Sequence, residues 1–275
     1  MAGDDKRMTA PSRRDYTAAS MERKGDIMSV VITDDEAASR QGRRALNQDL
    51  PARKPDGRGP VRATLEGRLC LAEPADAARH DIAALYPATH GDAERDALWD
   101  YLGYGPFASP EAMSDWFAGC VPSKDPLFFV LKEKAAGRLM GMATLMETRP
   151  AMSVTEIGNI WLSPDWQGTA ETTEALYLLM HHALDDLGYR RLEWKCNAFN
   201  MPSRKAALRL GFRYEGIFWS HMVIKGRNRD TTWFSMLDSE WPAVKANFEA
   251  WLAPGNFDAD GQQKTSLGEM NRALW

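Results

Sequence analysis

"PDWQGTAETTEALYLLMHHALDDLGYRRLEWKC", Pro164 to Cys196, passes from a polar turn into an amphipathic segment and ends on alternating apolar residues. The turn is crowded with small and hydroxylated residues, Gly168, Thr169, Ala170, Thr172 and Thr173, and Glu171 brings the charge among them. A surface helix cap needs a single such residue. A helix N-terminus exposes backbone N–H groups and a partial positive charge, so small residues there suit a phosphate or pyrophosphate. Leu176, Leu179, Ala183 and Leu187 recur at three- and four-residue steps and can pack on a sheet. Taken alone, the motif is open between an anion site and a generously capped helix.

Working outward, "LFFVLKEK" (127–134), "LMGMATLMET" (139–148) and "SVTEIGNIWLS" (153–163) predict three strands before the turn. Further upstream, "RLCLAEP" from Arg68 predicts a strand, and "ADAARHDIAALYPAT" (75–89) a helix carrying Ala78, Ile82 and Leu85 at helical spacing. The stretch 96–120 reads as helix, turn and helix, the second starting at Ser109, Pro110 and Glu111. Its Trp99, Tyr101, Tyr104, Phe107, Trp116 and Phe117 suit core packing or the walls of a cleft. After the turn come a strand at "RLEWKCN", a helix capped by Asn200 and Gly211, strands in "FRYEGIFWSHMVIKG" and "RDTTWFSMLD", and a helix in "SEWPAVKANFEAWL".

Residues 1–62 are dense in Arg, Asp, Ser, Gly and Pro, with "SVVIT" as their compact apolar patch. Such a segment cannot offset its ordering entropy alone, so it reads as an arm or linker, largely disordered or docked on the domain or another subunit. Residues 63–253 form the expected domain, and 254–275 a tail that is loop or docking arm.

Hydrophobic residues make up 44% of the 275, charged residues 26%, and the formal charge is -4. That balance gives no general case for a nucleic-acid partner. Cys70, Cys120 and Cys196 are scattered, so neither a disulfide framework nor a metal site is expected. A reducing, cytoplasmic setting is the default, and no apolar run approaches a membrane span.

The run "NAFNMPSRKAALRLGFRYEGIF" followed by "KGRNRDTTWFSMLDSEW" carries a specific pattern: Asn200, two residues, Ser203, a helix ending in Gly211-Phe212, Glu215-Gly216 on a strand, and Arg229-Asp230 before the last strand. In this, and over about 65–241, the chain resembles the GCN5-related N-acetyltransferases, within them the branch of ribosomal-protein N-terminal acetyltransferases. The resemblance implies a mixed α/β (α+β) fold: a strongly twisted, mostly antiparallel sheet flanked by helices and splayed in the middle to admit acyl-CoA. It implies acetyl-CoA as cosubstrate, no metal, and a primary amine acceptor that is a peptide or protein N-terminus, an aminoacyl-like group or another small amine. It leaves room for a homodimer. Alternatives are a catalytically weak acyl-CoA sensor and transfer of another acyl group such as succinyl.

By the same resemblance, Gln167, Gly168, Thr169, Ala170, Thr172 and Thr173 occupy the pyrophosphate loop. Ala170 and Thr172 stand where the family has small residues, and Thr172 adds a hydroxyl that could bond a phosphate. The side chain of Glu171 is expected to point to solvent. A backbone N–H bracketed by Asn159, Ile160 and Trp161 polarises the thioester carbonyl, with Gly158 easing a bulge. Asn200 contacts the pantetheine arm, Ser203 protonates or holds the departing thiolate, and Arg204 or Lys205 meets the phosphates. Glu156 is the carboxylate placed to act as general base, directly or through water; the other reading is a solvent-facing strand glutamate. Residues 86–121 are expected to shape acceptor specificity.

Among the histidines, His181 and His182 read as surface or packing residues far along their helix, whereas His221 could line the substrate side. Cys196 reads as a buried, inert thiol, and "KGRNRD" as a hairpin turn.

Overall fold

The computed structural model describes residues 23–24, 27–28, 30–40 and 59–275. In chain order, β1 (Arg23–Lys24) and β2 (Ile27–Met28) pair antiparallel and precede α1 (Asp34–Ser39). Strands β3 (Leu65–Glu66) and β4 (Cys70–Pro74) lead to α2 (Tyr86–Thr89), α3 (Ala93–Asp96) and α4 (Pro110–Cys120). Then follow β5 (Leu127–Glu133), β6 (Leu139–Arg149), β7 (Val154–Leu162) and α5 (Ala170–His181). The rest is β8 (Arg191–Asn197), α6 (Met201–Arg209), β9 (Arg213–Ile224), β10 (Arg227–Leu237), α7 (Trp241–Leu252) and α8 (Leu267–Arg272).

The mixed α/β fold is the expected one: an open eight-stranded sheet of order β3-β4-β5-β6-β7-β8-β10-β9, flanked by helices. Neighbours from β3 to β7 pair antiparallel, and β7 pairs β8 parallel. The described residues fall into two compact units, one of 59–193 with 224–226, the other of residues up to 40 with 194–223 and 227–275.

In the first unit β5 is buried from Leu127 to Leu131 without alternation, as a strand covered on both faces must be. Trp99, Met113, Phe117, Phe128 and Trp161 share one core, so Trp99 and Phe117 are packing residues, while Tyr104, Phe107 and Trp116 lie partly buried against it. His90 is fixed within this cluster: its Nε2 accepts the Phe107 N–H at 2.9 Å, and its ring stacks on Tyr86 at 4.1 Å. A ring nitrogen that accepts an N–H carries no proton, and burial lowers the pKa of this imidazole.

The continuous helix expected over 75–89 does not form. The chain makes a turn at Asp76–His80, a 3-10 segment at Ile82–Leu85 and then α2. Polar anchoring overrides the apolar spacing: the His80 ring accepts the Asp76 N–H at 3.2 Å through Nδ1 and meets the buried Glu73 carboxylate at 3.0 Å through Nε2. Lys132 and Arg79 complete the cluster around Glu73. Burial pushes the Glu73 carboxyl up, but the hydrogen bonds from His80 and Lys132 and the two cationic charges outweigh it, leaving the pKa below the ordinary 4.5. A depressed carboxyl stabilises the fold above its unfolded pKa, and that contribution fades as pH falls below about 4.5 toward the folded value. Glu73→Gln should therefore narrow the stability difference between pH 7 and pH 4, measured by urea unfolding at both; an unchanged difference would reject this role.

In the second unit, Phe212, Phe234, Trp241, Phe248 and Leu267 are buried. Toward the C-terminus, α8 places Asn271 to donate to the Arg209 carbonyl at 2.9 Å and accept from Asn247 at 3.0 Å. Within the expected arm, α1 is held by a capping box between Thr33 and Glu36. The "KGRNRD" segment is a hairpin turn, with Lys225 and Gly226 both at positive φ, 50° and 72°, between β9 and β10.

Candidate functional site

Strand β7 carries the first feature of interest. Its parallel register with β8 covers only Val154–Glu156 against Arg191–Glu193, and Ile157–Leu162 run on beyond it. On its other edge, Gly158 faces Thr144 and Trp161 faces Met142, so Asn159 and Ile160 oppose the single residue Ala143. This is a β-bulge, with Asn159 at φ 49°, and it leaves backbone polar groups out of the ladder. The bulge expected near Gly158 thus sits one residue further on.

Gly158 has a different use: a Cβ there would lie 2.7 Å from Met146 Sδ and 3.1 Å from Glu156 Oε1. The missing side chain makes room for the Glu156 carboxylate. Glu156 is buried at 3% exposure, which overturns the solvent-facing reading. The Trp161 side chain is core, so only its backbone is available for the role assigned to that position.

The turn into α5 is the second feature. Gly168 is at φ 77°, where a Cβ would be strained, whereas Ala170 begins the helix with no such demand. The hydroxyl protons are spent inside the turn: Thr169 and Thr172 donate to the Trp166 carbonyl at 3.0 and 2.7 Å, and Thr173 to the Thr169 carbonyl at 2.8 Å. Thr169 Oγ1 also accepts the Thr172 N–H at 3.2 Å. The phosphate bond expected from the Thr172 hydroxyl is therefore not retained, because its proton already has a short, buried acceptor. What the turn leaves unspent among the described residues is backbone, the N–H groups of Gly168, Ala170 and Glu171. Gln167 is exposed and donates to the Leu162 carbonyl at 3.2 Å. Glu171 is half-buried rather than turned wholly to solvent, and its charge acts with that of Glu174 on Cys70, whose pKa burial above all drives up.

Two residues that hold β7 and α5 in place escape a reading of the sequence. Glu174, one turn into α5, accepts backbone N–H groups of Arg68 at 3.1 Å, Leu69 at 2.6 Å and Cys70 at 3.0 Å, pinning the helix to the β3–β4 turn. Gly141 lets β6 lie against the Trp161 carbonyl of β7. A glutamate after two threonines looks like a helix surface residue, and a lone strand glycine signals close approach without naming its neighbour.

In the second unit, Asn200 caps α6 by accepting the Ser203 N–H at 3.1 Å. Ser203 Oγ accepts the Trp194 indole N–H, also at 3.1 Å. Burial pushes Cys196 up to about 12, against the smaller downward pull of Ser203, Arg204 and Arg229. It is the expected inert thiol.

Arg204 is a correction. It is 2% exposed, with its guanidinium on Glu36, on the Ala198 carbonyl at 2.8 Å and on the Val31 carbonyl at 2.7 Å. A side chain buried in these bonds is not presented to a phosphate. His221 is hydrogen-bonded to Thr231 at 3.0 Å, its pKa lowered by burial and then by Lys195 and Arg229. His182 pairs with Asp186 at 2.9 Å on its own helical segment. Among the described residues no His, Cys, Asp and Glu group could hold a metal ion, and no helix is long and apolar enough to cross a membrane.

The acetyltransferase (GNAT) domain family matches residues 68–213, more than half of the chain. Over 90 residues, 33% of this chain, the protein is 34% identical to a ribosomal-protein-serine acetyltransferase of Escherichia coli (strain K12). It spans about half the length of the curated relatives it matches, 48% of that one and 59% of another from Bacillus subtilis (strain 168). A crystal structure of a GCN5-related N-acetyltransferase from Brucella melitensis is 46% identical at TM-score 0.74, covering 78% of this chain and 96% of that one. A GNAT-family acetyltransferase from Bacillus anthracis shares the fold at 16% identity and TM-score 0.55, covering 65% and 100%. With the bulged β7, the turn of unspent amides and this family match in agreement, the chain belongs to the GNAT acetyltransferases.

Proposed function

We propose that the protein transfers the acetyl group of acetyl-CoA to a primary amine, such as a peptide or protein N-terminus or another small amine, by direct attack. The observation that carries this is the α5 N-terminus, where Gly168, Ala170 and Glu171 offer N–H groups with no acceptor among the described residues, directly after a bulged strand. Such amides and the helix dipole fit a pyrophosphate.

The amine nitrogen attacks the thioester carbonyl carbon; the C–N bond forms, the C–S bond breaks, and the electron pair leaves on sulfur. Backbone N–H at Asn159–Trp161 supports the developing oxyanion. Glu156 takes the proton that the amine must lose, directly or through water, and Ser203 holds the departing thiolate through its O–H or relays to it a proton that solvent replaces. Ser203 suits that part because its oxygen already accepts the Trp194 N–H, leaving a rotatable O–H to donate. Its assignment toward the thiolate rests on the family resemblance. The acceptor branch, too, rests on resemblance, supported by the names of relatives.

The test is release of free thiol from acetyl-CoA and from succinyl-CoA across a panel of peptide N-termini and small amines. Amine-dependent release with the acetyl donor is expected; tight CoA binding with no such release would leave an acyl-CoA sensor instead, and preference for succinyl would move the donor. Glu156→Gln and Ser203→Ala should each lower kcat about 100-fold while the CoA Kd changes little. Wild-type kcat in either variant removes that residue from the reaction.

A further inference from the structure

The family match begins at residue 68, so α1 lies outside the shared domain, yet it supplies buried contacts to the second unit. Glu36 is 0% exposed, and its carboxylate meets Arg204 Nε at 2.7 Å and Nη2 at 2.5 Å while accepting the Thr33 N–H at 2.8 Å. Arg204 follows Ser203 on the first turn of α6, and its remaining donors hold the Ala198 carbonyl in the turn between β8 and α6 and the Val31 carbonyl just before α1. One guanidinium therefore joins three segments around the Asn200–Ser203 turn. A second stitch comes from Ser39, whose Oγ accepts the Tyr214 N–H at 3.1 Å at the start of β9.

Burying an ion pair is a costly way to fix a surface helix, since desolvation offsets much of the attraction; what such a pair provides is fixed geometry. Bidentate pairing through the planar guanidinium sets the orientation of the α6 first turn as well as its distance from α1. Ser203 needs that orientation, because a hydroxyl that must meet a leaving group loses rate steeply with misplacement.

We propose that α1 is a positioning element for the reaction: through the Glu36–Arg204 pair it fixes the first turn of α6 and so the aim of the Ser203 hydroxyl. This rests on the Ser203 role given under Proposed function. Neither Glu36 nor Arg204 touches the reacting atoms.

The test is a double-mutant cycle in the full chain with E36Q, S203A and the pair, reading kcat, CoA Kd and thermal midpoint. Gln keeps the shape of Glu36 and removes the charge that grips the fork. Glu36→Gln is expected to lower kcat about tenfold with CoA Kd within about twofold, and to change kcat less than about twofold when Ser203 is already Ala. A purely structural role would instead lower the thermal midpoint and leave kcat of the folded fraction unchanged, or cut kcat equally in both backgrounds; either result overturns the proposal. Wild-type kcat in S203A would sink the Ser203 reading and this inference with it, whereas a slow S203A with equal E36Q losses sinks this inference alone. Should E36Q fail to fold, R204K takes its place: it keeps the charge and loses the fork, and the same background dependence is expected, its absence again being decisive against.

Discussion

Glu174→Ala is expected to destabilise the protein by about 3–5 kcal/mol, because three backbone N–H groups lose their acceptor at once. Arg68, Leu69 and Cys70 donate to a carboxylate that is 5% exposed, and water does not reach that pocket freely to replace it. Gly67 packs so closely that a Cβ on it would overlap the Glu174 carboxylate, so the turn is shaped around this side chain. Glutamine keeps one carbonyl acceptor and should fall between. The loss reaches function, since Glu174 is what ties α5, and with it the turn of free amides, to β4. Urea unfolding measures the first effect and CoA titration the second; a loss under about 1 kcal/mol would show that the three amides find other partners.

Gly141→Ala should be as damaging, about 3 kcal/mol or more, for a different reason. A Cβ on Gly141 would collide with the Trp161 carbonyl oxygen and lie 2.8 Å from Leu162 Cα, and both obstacles are backbone. Gly141 also sits at φ 150°, which side chains rarely adopt. No rotamer change relieves this; β7 has to move, and the part that moves follows the bulge and feeds the α5 turn. CoA affinity should therefore fall together with stability. Gly216→Ala, where a Cβ meets nothing within 4 Å, is the control and should stay within about 0.5 kcal/mol of wild type. Equal behaviour of the two variants would show that the strand contact is not tight in solution.

The sheet was legible in the sequence because β5, β6 and β7 are compact apolar runs, buried almost without interruption, and α6 because both its caps are chemical: Asn200 accepts the Ser203 N–H, and Gly211 takes φ 89°. The site was legible to the level of segments. Its donors were not, since the composition of Gln167–Thr173 suggests hydroxyl ligands, whereas the structure spends those hydroxyls on Trp166 and Thr169 and leaves amides without an acceptor among the described residues. Arg204 was misread for a similar reason. A basic residue beside a cofactor motif invites a phosphate, and nothing in its spacing announces a carboxylate 168 positions away. The segment 75–89 failed because Glu73, His80 and Asp76 bind one another more firmly than three apolar positions favour a helix.

We propose that the first turn of α5 holds the pyrophosphate of CoA through backbone amides. Backbone amide chemical shifts, recorded while CoA is titrated into the full chain, test it most directly. The Gly168, Ala170 and Glu171 amide protons are expected to move downfield as CoA binds, with an analogue lacking the pyrophosphate failing to move them. Saturable CoA binding that leaves these three amides where they were would contradict it.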